Sequence, residues 1–283
     1  MFSARQLAVT VVAVFAALGL GVLAGAAVFS SDNVVLQQSM AIAGLERDLA
    51  RERQHALDLE TECVRLEDEL LQHQALSTWA LPQLVDGRLQ GLPVAVITWG
   101  DGPDATPVLA TLSRAGAEVR WAGSVAAGMS PSDVEQAEAM SREFGHADLQ
   151  AGAVALSIEF ARALAGKGDP ALVDILKAMG LVTGDDAPKG KVRACVILPG
   201  QTGLAAGLDL TFARELLLAG VTVVAVEATR SLPAVPAYRH TGAATVDNVD
   251  TVAGQVAMVY ALLGKGGHYG VKETAGELLP LAP

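Results

Sequence analysis

The chain has 283 residues, 51% of them hydrophobic and only 4% aromatic, and its formal net charge is −11. Nucleic-acid phosphates and anionic lipid headgroups are bound by Lys and Arg, so this charge argues against nucleic acid and against a lipid-hugging surface. The two cysteines, Cys63 and Cys195, are too few for a disulfide framework or for a zinc site built on paired cysteines.

An apolar run without a charged side chain extends from Leu7 to Phe29 and predicts a transmembrane helix. As a helix, its 23 residues span roughly 35 Å, enough to cross a hydrocarbon core of about 30 Å. Arg5 precedes the run and Asp32 follows it, so the positive-inside rule keeps the N-terminus in the cytoplasm. We therefore expect residues 1–30 to be a single-pass anchor in the cytoplasmic membrane, with the bulk of the chain extracytoplasmic.

A cleaved signal peptide is the alternative interpretation of this run. Ala24, Gly25 and Ala26 fit a small-residue cleavage site, and Arg5 fits a short positively charged region ahead of it. The apolar region of a signal peptide is usually about 7–15 residues long, which is shorter than the run found here. The length therefore favours a retained anchor.

A heptad repeat without interruption between residues 35 and 73 predicts a long coiled-coil helix after the anchor. We expect this stalk to occupy residues 31–80, with the repeat alone about 60 Å long. The positions outside a and d carry dense charge. The a positions are Val35, Ile42, Leu49, Ala56, Cys63 and Leu70, and the d positions are Gln38, Leu45, Glu52, Leu59, Leu66 and His73.

The apolar seam of this stalk has to be buried, and we predict that it binds another chain. Self-association as a homodimer and pairing with a membrane-protein partner both fit the pattern. A single helix lying on the C-terminal domain is the less favoured alternative. The residues expected at the contact are Leu45, Leu49, Leu59, Cys63, Leu66 and Leu70.

Several features of the seam are imperfect for self-pairing. Glu52 and His73 occupy d positions, and Glu62 at g would face Glu67 at e of a parallel partner, which is repulsive. Cys63 at an a position would lie near its symmetry mate in a parallel dimer, outside the reducing cytosol. The alternative for Cys63 is a small buried hydrophobic side chain.

Residues 91–270 alternate apolar strand-like runs with helical segments and predict a Rossmann-like three-layer α/β domain. Near-continuous apolar strands are typical of a mainly parallel sheet covered on both faces. Leu81-Pro82 and Asp86-Gly87 are expected to end the stalk helix, and residues 271–283 to form a C-terminal tail. The expected strands are 94–99, 118–122, 192–198, 221–226 and 243–246, and the expected helices are 103–115, two or three within 131–180, 208–218 and 251–263.

The segment Gly100 to Ala105 follows the first strand and formally fits the G-x-G-x-x-G/A dinucleotide pattern. The acidic residue expected after the second strand is missing, and Asp101 and Asp104 would repel a pyrophosphate. We therefore interpret the segment as a turn that requires small residues. If the domain binds a small molecule, the crevice at the carboxyl ends of the strands should be lined by the loops at 99–104, 199–204 and 227–232.

No catalytic set can be assembled from the sequence, which offers no Ser/His/acid arrangement, no paired carboxylates and no cysteine with a nearby histidine. We predict that the protein is not an enzyme and uses no cofactor. No Met-x-x-Met or Cys-x-x-Cys cluster is present for Cu(I), so a copper site is not visible. The five histidines are scattered along the chain: His55, His73, His146, His240 and His268.

Two C-terminal motifs look specific without showing chemistry. Residues 246–251, Val-Asp-Asn-Val-Asp-Thr, are expected to cap the final helix, with Asp and Thr oxygens accepting free backbone N–H groups. Residues 266–270, Gly-Gly-His-Tyr-Gly, are expected to form a tight glycine turn in a docked tail. A binding role for these motifs is the alternative.

Together these features resemble the MctB-type copper transporter proteins of actinobacteria and related Gram-positive bacteria. The matching parts are Arg5 before the apolar anchor, the glycine-rich stretch at 19–25, the acidic stalk, and the motifs at 246–251 and 267–270. The resemblance covers nearly the whole chain.

This resemblance implies two possible functions. One is copper efflux or homeostasis, with an outer-membrane channel proposed for the mycobacterial member. The other comes from corynebacterial SteB-like members and is a role in cell-envelope biogenesis and daughter-cell separation. In that role the protein pairs with a SteA-like membrane partner, similar to a thiamine pyrophosphokinase, and influences a peptidoglycan hydrolase.

Physical requirements separate these two functions. An outer-membrane pore needs a closed barrel of alternating amphipathic strands of about 9–11 residues each, whereas the strands expected here are buried and non-alternating. One membrane helix encloses no ion path unless it oligomerises. We therefore expect an envelope scaffold or regulator that acts by protein–protein contact, with copper handling as the alternative.

Overall fold

A computed structural model describes most of the chain. The chain divides into two compact units, Met1–Gln72 and His73–Pro283, and the boundary falls inside the second helix. The described residues are 4–28, 32–126, 149–186, 188–200 and 207–280.

The first helix, α1, extends over Ala4–Val28, and its large apolar side chains are exposed. Residues Arg5–Ala26 are long and apolar enough to cross a membrane. A helix that is apolar on all sides suits a lipid environment, so α1 fits a single-pass membrane anchor. Phe29, the last residue of the predicted run, lies outside the described residues.

The second helix, α2, extends over Asp32–Val85 without a break, so its 54 residues span roughly 80 Å. The sequence predicted that Leu81-Pro82 and Asp86-Gly87 would end this helix. Pro82 lies inside α2, which ends at Val85 directly before Asp86-Gly87, and the Asp86 N–H still donates to the Pro82 carbonyl at 2.9 Å. A proline in the last turn removes a single backbone hydrogen bond close to the helix end. The helix therefore continues to the turn at Gly87, where φ is +68°.

Beyond α2 the chain alternates short strands with helices. The strands are β1 (Pro93–Trp99), β2 (Glu118–Val125), β3 (Val182–Gly184), β4 (Ala194–Pro199), β5 (Thr222–Val226), β6 (Ala244–Val246) and β7 (His268–Tyr269). The helices are α3 (Thr106–Arg114), α4 (Leu149–Leu164), α5 (Ala171–Ala178), α6 (Leu208–Leu218) and α7 (Val252–Leu262), with a 3-10 helix over Val235–Thr241.

The strands form one sheet in the order β3-β2-β1-β4-β5-β6-β7. Neighbouring strands are parallel except for β2 and β3. From β1 the chain adds β2 and then β3 on one side of the sheet. It then returns to place β4 on the other side of β1 and adds β5, β6 and β7 beyond it. Strand order therefore reverses between β1 and β4, which is the switch point typical of doubly wound folds.

Alternate residues of the central strands point into two cores, one on each face of the sheet. Ile97 and Ile197 lie in the core shared with α4, α5 and α6, whereas Val96 and Val196 lie in the core shared with α3 and α7. Because helices cover both faces, the central strands β1, β4 and β5 are apolar along most of their length. This arrangement confirms the predicted α/β class and its mainly parallel sheet.

The structure differs from the predicted elements mainly at the two edges of the sheet. Val182–Gly184 adds the antiparallel strand β3, and His268–Tyr269 forms strand β7 where a turn was expected. These strands are too short to show a periodic pattern, and only their pairing with β2 and β6 defines them. The first part of the range 131–180, where two or three helices were expected, lies outside the described residues.

Candidate functional site

The seam predicted on α2 is exposed in the single chain. Its five leucines are 50–69% exposed, and the cysteine is exposed as well. Full burial of one leucine side chain stabilises a protein by about 1.5–3 kcal/mol, so the seam is a substantial uncovered apolar surface in the single chain. The residues concerned are Leu45, Leu49, Leu59, Cys63, Leu66 and Leu70.

Acidic residues on one side of this seam form ion pairs within α2. The Nε group of Arg65 donates to Glu62 at 2.8 Å, and its Nη1 bonds Glu69 one turn further along. The hydrogen bond from Arg65 holds the pKa of the Glu62 carboxyl below its usual value. Glu62 therefore has a partner in its own helix, which weakens the repulsion from Glu67 that the sequence predicts for a parallel dimer.

The two cysteines lie in opposite environments. Cys63 is exposed on α2, whereas Cys195 is fully buried in β4. Burial raises the pKa of the Cys195 thiol. Because the thiolate is the form that attacks electrophiles and binds metals, Cys195 is a packing residue and Cys63 is the accessible thiol.

At the switch point, the loops after β1 and β4 contact each other so closely that side chains do not fit between them. A Cβ atom on Gly102 would lie 2.3 Å from the carbonyl oxygen of Leu198. A Cβ atom on Gly200 would lie 2.2 Å from Asp101 Oδ1. Gly100 has a φ of +60°, which favours glycine. These glycines are therefore required by the turn and by the contact between loops.

Asp104 occupies the start of α3, where the pyrophosphate of a dinucleotide would bind. Its Oδ1 accepts hydrogen bonds from the backbone N–H of Thr106 at 3.0 Å and from the Thr106 hydroxyl at 2.8 Å. These bonds hold the pKa of the Asp104 carboxyl below its usual value. A carboxylate at this helix end repels a phosphate, which agrees with the interpretation of Gly100–Ala105 as a turn.

Of the three loops predicted to line the crevice, two come together and the third binds an amino group of the chain itself. The loops after β1 and β4 touch at Gly200, while residues 201–204 lie outside the described residues. In the loop after β5, the Nζ atom of Lys272 lies 2.8 Å from the backbone oxygen of Ser231 and 3.1 Å from that of Ala228. The ammonium group thus fills the place predicted for a ligand.

The same ammonium group forms a buried ion pair with Glu227. Lys272 Nζ lies 2.6 Å from Glu227 Oε1, and the other carboxylate oxygen accepts the N–H groups of Ala234 at 2.6 Å and Val235 at 2.9 Å. Glu227 is 1% exposed. A buried carboxylate is stable only when it is paired and hydrogen-bonded, and both conditions are met here. The chain itself satisfies the hydrogen-bonding capacity of this carboxylate.

Asp247 holds the chain after β7 and does not cap the final helix, although the sequence predicted that Asp and Thr oxygens of its motif would do so. Its two carboxylate oxygens accept the N–H groups of Val271 at 2.7 Å and Lys272 at 3.1 Å. A Cβ atom on Gly270 would lie 1.8 Å from Asp247 Oδ1, so only glycine fits beside the carboxylate. Asp247 therefore brings Lys272 to Glu227.

Thr251 is the residue that caps α7, as the sequence predicted for the threonine of this motif. Its hydroxyl accepts the N–H of Gly254 at 3.1 Å and donates to the carbonyl of Asn248 at 2.8 Å. Asp250 instead binds the N–H and hydroxyl of Thr229, both at 2.8 Å. Within the described residues, the buried amide of Asn248 has no hydrogen-bond partner, and the geometry gives no reason for this.

Asp209 and Tyr238 form a second buried polar contact, far from any surface. The Tyr238 hydroxyl donates to Asp209 Oδ2 at 2.7 Å, and the Leu210 N–H donates to Oδ1 at 2.8 Å. Burial raises the pKa of Asp209, although its hydrogen bonds act in the opposite direction. Burial also raises the pKa of Tyr238. This contact joins α6 to the 3-10 helix, so its role is structural.

The histidines of the described residues do not form a shared site. His268 is half-buried, and its Nδ1 lies 3.0 Å from the hydroxyl of Thr245. Burial lowers the pKa of His268, and nearby Arg239 adds to this effect. Among the described residues, no three His, Cys, Asp or Glu side chains lie close enough to hold a metal ion. His146 lies outside this set.

A cleft of about 410 Å³ lies at the amino ends of β1, β4 and β5. Arg88 and Arg193 contribute to its walls, and the guanidinium of Arg88 lies 6.0 Å from the ring centre of Tyr260. Leu262 and Gly264, at the carboxyl end of α7, complete the same wall. Positively charged side chains are stabilised at the carboxyl end of a helix. This effect explains the presence of the two arginines, and no bound ligand is needed to explain it.

No pattern in the sequence indicated the Glu227–Lys272 ion pair. The two residues are separated by more than forty positions, and no local spacing connects them. The available sequence signal for this ion pair was Glu227, a single charged residue directly after the apolar strand Thr222–Val226. A charge at the carboxyl end of a buried strand is a candidate for a polar contact, but its partner could not be identified from the pattern.

A family model described as "Copper transport outer membrane protein, MctB" matches residues 1–280. No curated protein matches the chain closely enough to count as a relative. The matched range includes α1, α2 and the described strands and helices of the α/β domain. Since this one family model spans the anchor, the stalk and the α/β domain together, the chain belongs to the MctB family.

Proposed function

We propose that the protein is a membrane-anchored scaffold or regulator of the cell envelope that acts by protein–protein contact through α2. The observation that carries this proposal is the exposed seam on α2, where leucines recur at a and d positions. Leu59 and Leu66 lie near the middle of the part of the seam with the bulkiest side chains. Helices with such a repeat bury it against another helix.

The orientation of the anchor belongs to the same proposal. Arg5 precedes the membrane helix and acidic residues follow it, so we place the N-terminus in the cytoplasm and α2 with the α/β domain outside. The stalk then begins directly at the membrane surface. Tethering to a membrane raises the local concentration of two stalks, which promotes their association even when the seam is imperfect.

The partner is a second copy of the chain or another membrane protein. Intrahelical pairing of Glu62 with Arg65 reduces one obstacle to a homodimer, and the resemblance to SteB-like proteins points to a SteA-like partner. In such a complex the protein would take part in daughter-cell separation by controlling a peptidoglycan hydrolase. A role in protein–protein contact, rather than in catalytic turnover, fits the α/β domain because its buried acidic residues are engaged in structural hydrogen bonds. These residues are Asp209, Glu227 and Asp247.

The seam can be tested by changing Leu59→Asp and Leu66→Asp together in the full chain. Two carboxylates in the apolar contact should abolish self-association or partner capture, because unpaired charges are costly to bury. Sedimentation in detergent measures the mass of the assembly. Leu218→Asp is the matched control, since Leu218 is 79% exposed on α6, outside the stalk.

Two results of this experiment have different meanings. A lower mass for the Leu59/Leu66 variant with an unchanged Leu218 variant supports the proposal. An unchanged mass together with unchanged partner capture would mean that the seam packs on the chain's own domain. A covalent dimer through Cys63 that disappears under reductant would in addition establish two parallel seams side by side.

Copper handling is the second candidate, and the description of the matching family favours it. The described residues bring no three candidate ligands together, and Cys195 is buried as a thiol. Copper titration of the purified full chain separates the two candidates. Stoichiometric binding of sub-micromolar affinity that is lost when His or Met residues are changed would favour copper handling over the scaffold.

A further inference from the structure

A second apolar column follows α2 beside the seam. It occupies the b position of each heptad, the residue after each a position: Leu36, Ala43, Ala50, Leu57, Val64 and Leu71. The last three are the bulky ones, and they are 56%, 54% and 63% exposed. We call Leu57, Val64 and Leu71 the b column.

Self-association through the seam leaves the b column uncovered. A residue lies about 100° around the helix from the one before it, so b positions point away from a contact centred on a and d. The e positions lie between a and b on the helix surface, and at this level they are Arg53, Glu60 and Glu67. The b column is therefore a separate surface and not a widening of the seam.

The charges beside the b column differ from those on the other side of α2. Arg65 pairs with Glu62 and Glu69 on the far side. Glu60, Glu67 and Asp68 surround Val64 at spacings of three and four residues, and among the described residues they form no ion pair with the chain. Arg53 borders the b column at Leu57, whereas around Val64 and Leu71 the column is an apolar surface bordered by acidic groups without an internal counter-charge.

This border selects the kind of partner. A second copy of the same surface would bring like charges together, and anionic lipid headgroups would be repelled for the same reason. A helix with an apolar column and basic flanks would cover the three side chains and pair with the three carboxylates. Resting on the proposed function of α2 as a contact surface, we propose that the b column binds a basic amphipathic helix of a partner protein.

The proposal is tested with two synthetic helical peptides that share one leucine column and differ only in Lys or Glu at the flanking positions. Fluorescence anisotropy measures their binding to the full chain in nanodiscs of zwitterionic phosphatidylcholine. We expect the Lys peptide to bind at least tenfold more tightly than the Glu peptide, with an affinity that falls as salt is added.

Two variants connect this binding to the b column. The triple variant Leu57→Gln, Val64→Gln and Leu71→Gln keeps residues that favour helices and should weaken binding of the Lys peptide at least tenfold. The charge variant Glu60→Lys, Glu67→Lys and Asp68→Lys should reverse the preference between the peptides. Leu218→Gln is the control for loss of an exposed leucine elsewhere.

The outcomes distinguish this proposal from the proposed function. Absence of binding, equal affinity for both peptides, or unchanged affinity in the glutamine variant would overturn the b column as a docking surface. A lower sedimentation mass of the glutamine variant would assign the column to the self-association contact and would also overturn it. If only the Leu59/Leu66 experiment fails, the seam is excluded as a contact surface. Peptide binding at the b column is then unaffected.

Discussion

Leu59 in α2 is about half exposed, whereas Glu227 in the α/β domain is almost fully buried. The apolar residue lies outside because α2 has no second layer in the described chain. The charged residue lies inside because Lys272 and two backbone N–H groups accompany it. The comparison shows that the α/β domain buries its charged residue with partners from its own chain, whereas the apolar side chains of α2 stay exposed in the single chain.

The largest expected effect concerns the buried ion pair of the α/β domain. Lys272→Met should lower the free energy of unfolding by about 3–5 kcal/mol, because it leaves the Glu227 carboxylate buried without its counter-charge. Denaturant unfolding of the full chain, followed by tryptophan fluorescence, measures the change. The double variant Glu227→Gln with Lys272→Met should be less destabilised than Lys272→Met alone. A loss below about 1 kcal/mol in the single variant would show that the domain does not depend on this pair.

A smaller effect is expected at the cap of α7. Thr251→Ala removes the acceptor for the Gly254 N–H and should cost about 1 kcal/mol of unfolding free energy. Thr251→Ser keeps the hydroxyl and is the matched control. Equal stability of the alanine and serine variants would mean that the cap contributes little, and α7 would then be held by its packing in the core.

The smallest expected effect is a pH dependence that belongs to the α/β domain. The pKa of His268 lies below its ordinary value of about 6.5, so the unfolded chain binds a proton at higher pH than the folded chain. His268 therefore contributes to stability above about pH 6.5, and this contribution is lost as pH falls through its folded pKa. His268→Gln should make the loss of unfolding free energy between pH 7 and pH 5 less steep. If the free energy of unfolding changed with pH at the same slope in the unaltered chain and in the His268→Gln variant, His268 would be excluded as a source of the pH dependence.

The sequence predicted those parts of the molecule that repeat a local pattern. Helix α2 was predicted because its a and d positions, which alternate at spacings of three and four residues, are mostly apolar. Helix α6 was predicted at Leu208–Leu218, as the structure has it, because an apolar helical run ends at Gly220, where φ is +85°. Strands β1, β4 and β5 were found because burial on both faces makes them apolar throughout.

The sequence did not predict features that depend on contacts between distant residues. Strand β3 exists only through its pairing with β2, and the Glu227–Lys272 pair depends on how the chain after β7 returns to β5. Aspartate in the motif at 246–251 was expected to help cap α7, because aspartate before a helix commonly does so, and Asp247 is one of its two aspartates. In the folded chain its carboxylate binds Val271 and Lys272 instead, since those N–H groups reach it from β7.

The position of Lys272 has a consequence for the order in which the protein is made. Glu227 is synthesised 45 residues before the lysine that neutralises it. Until Lys272 has emerged from the ribosome or the translocation channel, β5 carries a carboxylate that is costly to bury. Closing the sheet around β5 is disfavoured until then, so we expect the α/β domain to reach its native core only after Lys272 has been delivered, and a nascent chain that stops before Lys272 to be more open to proteases.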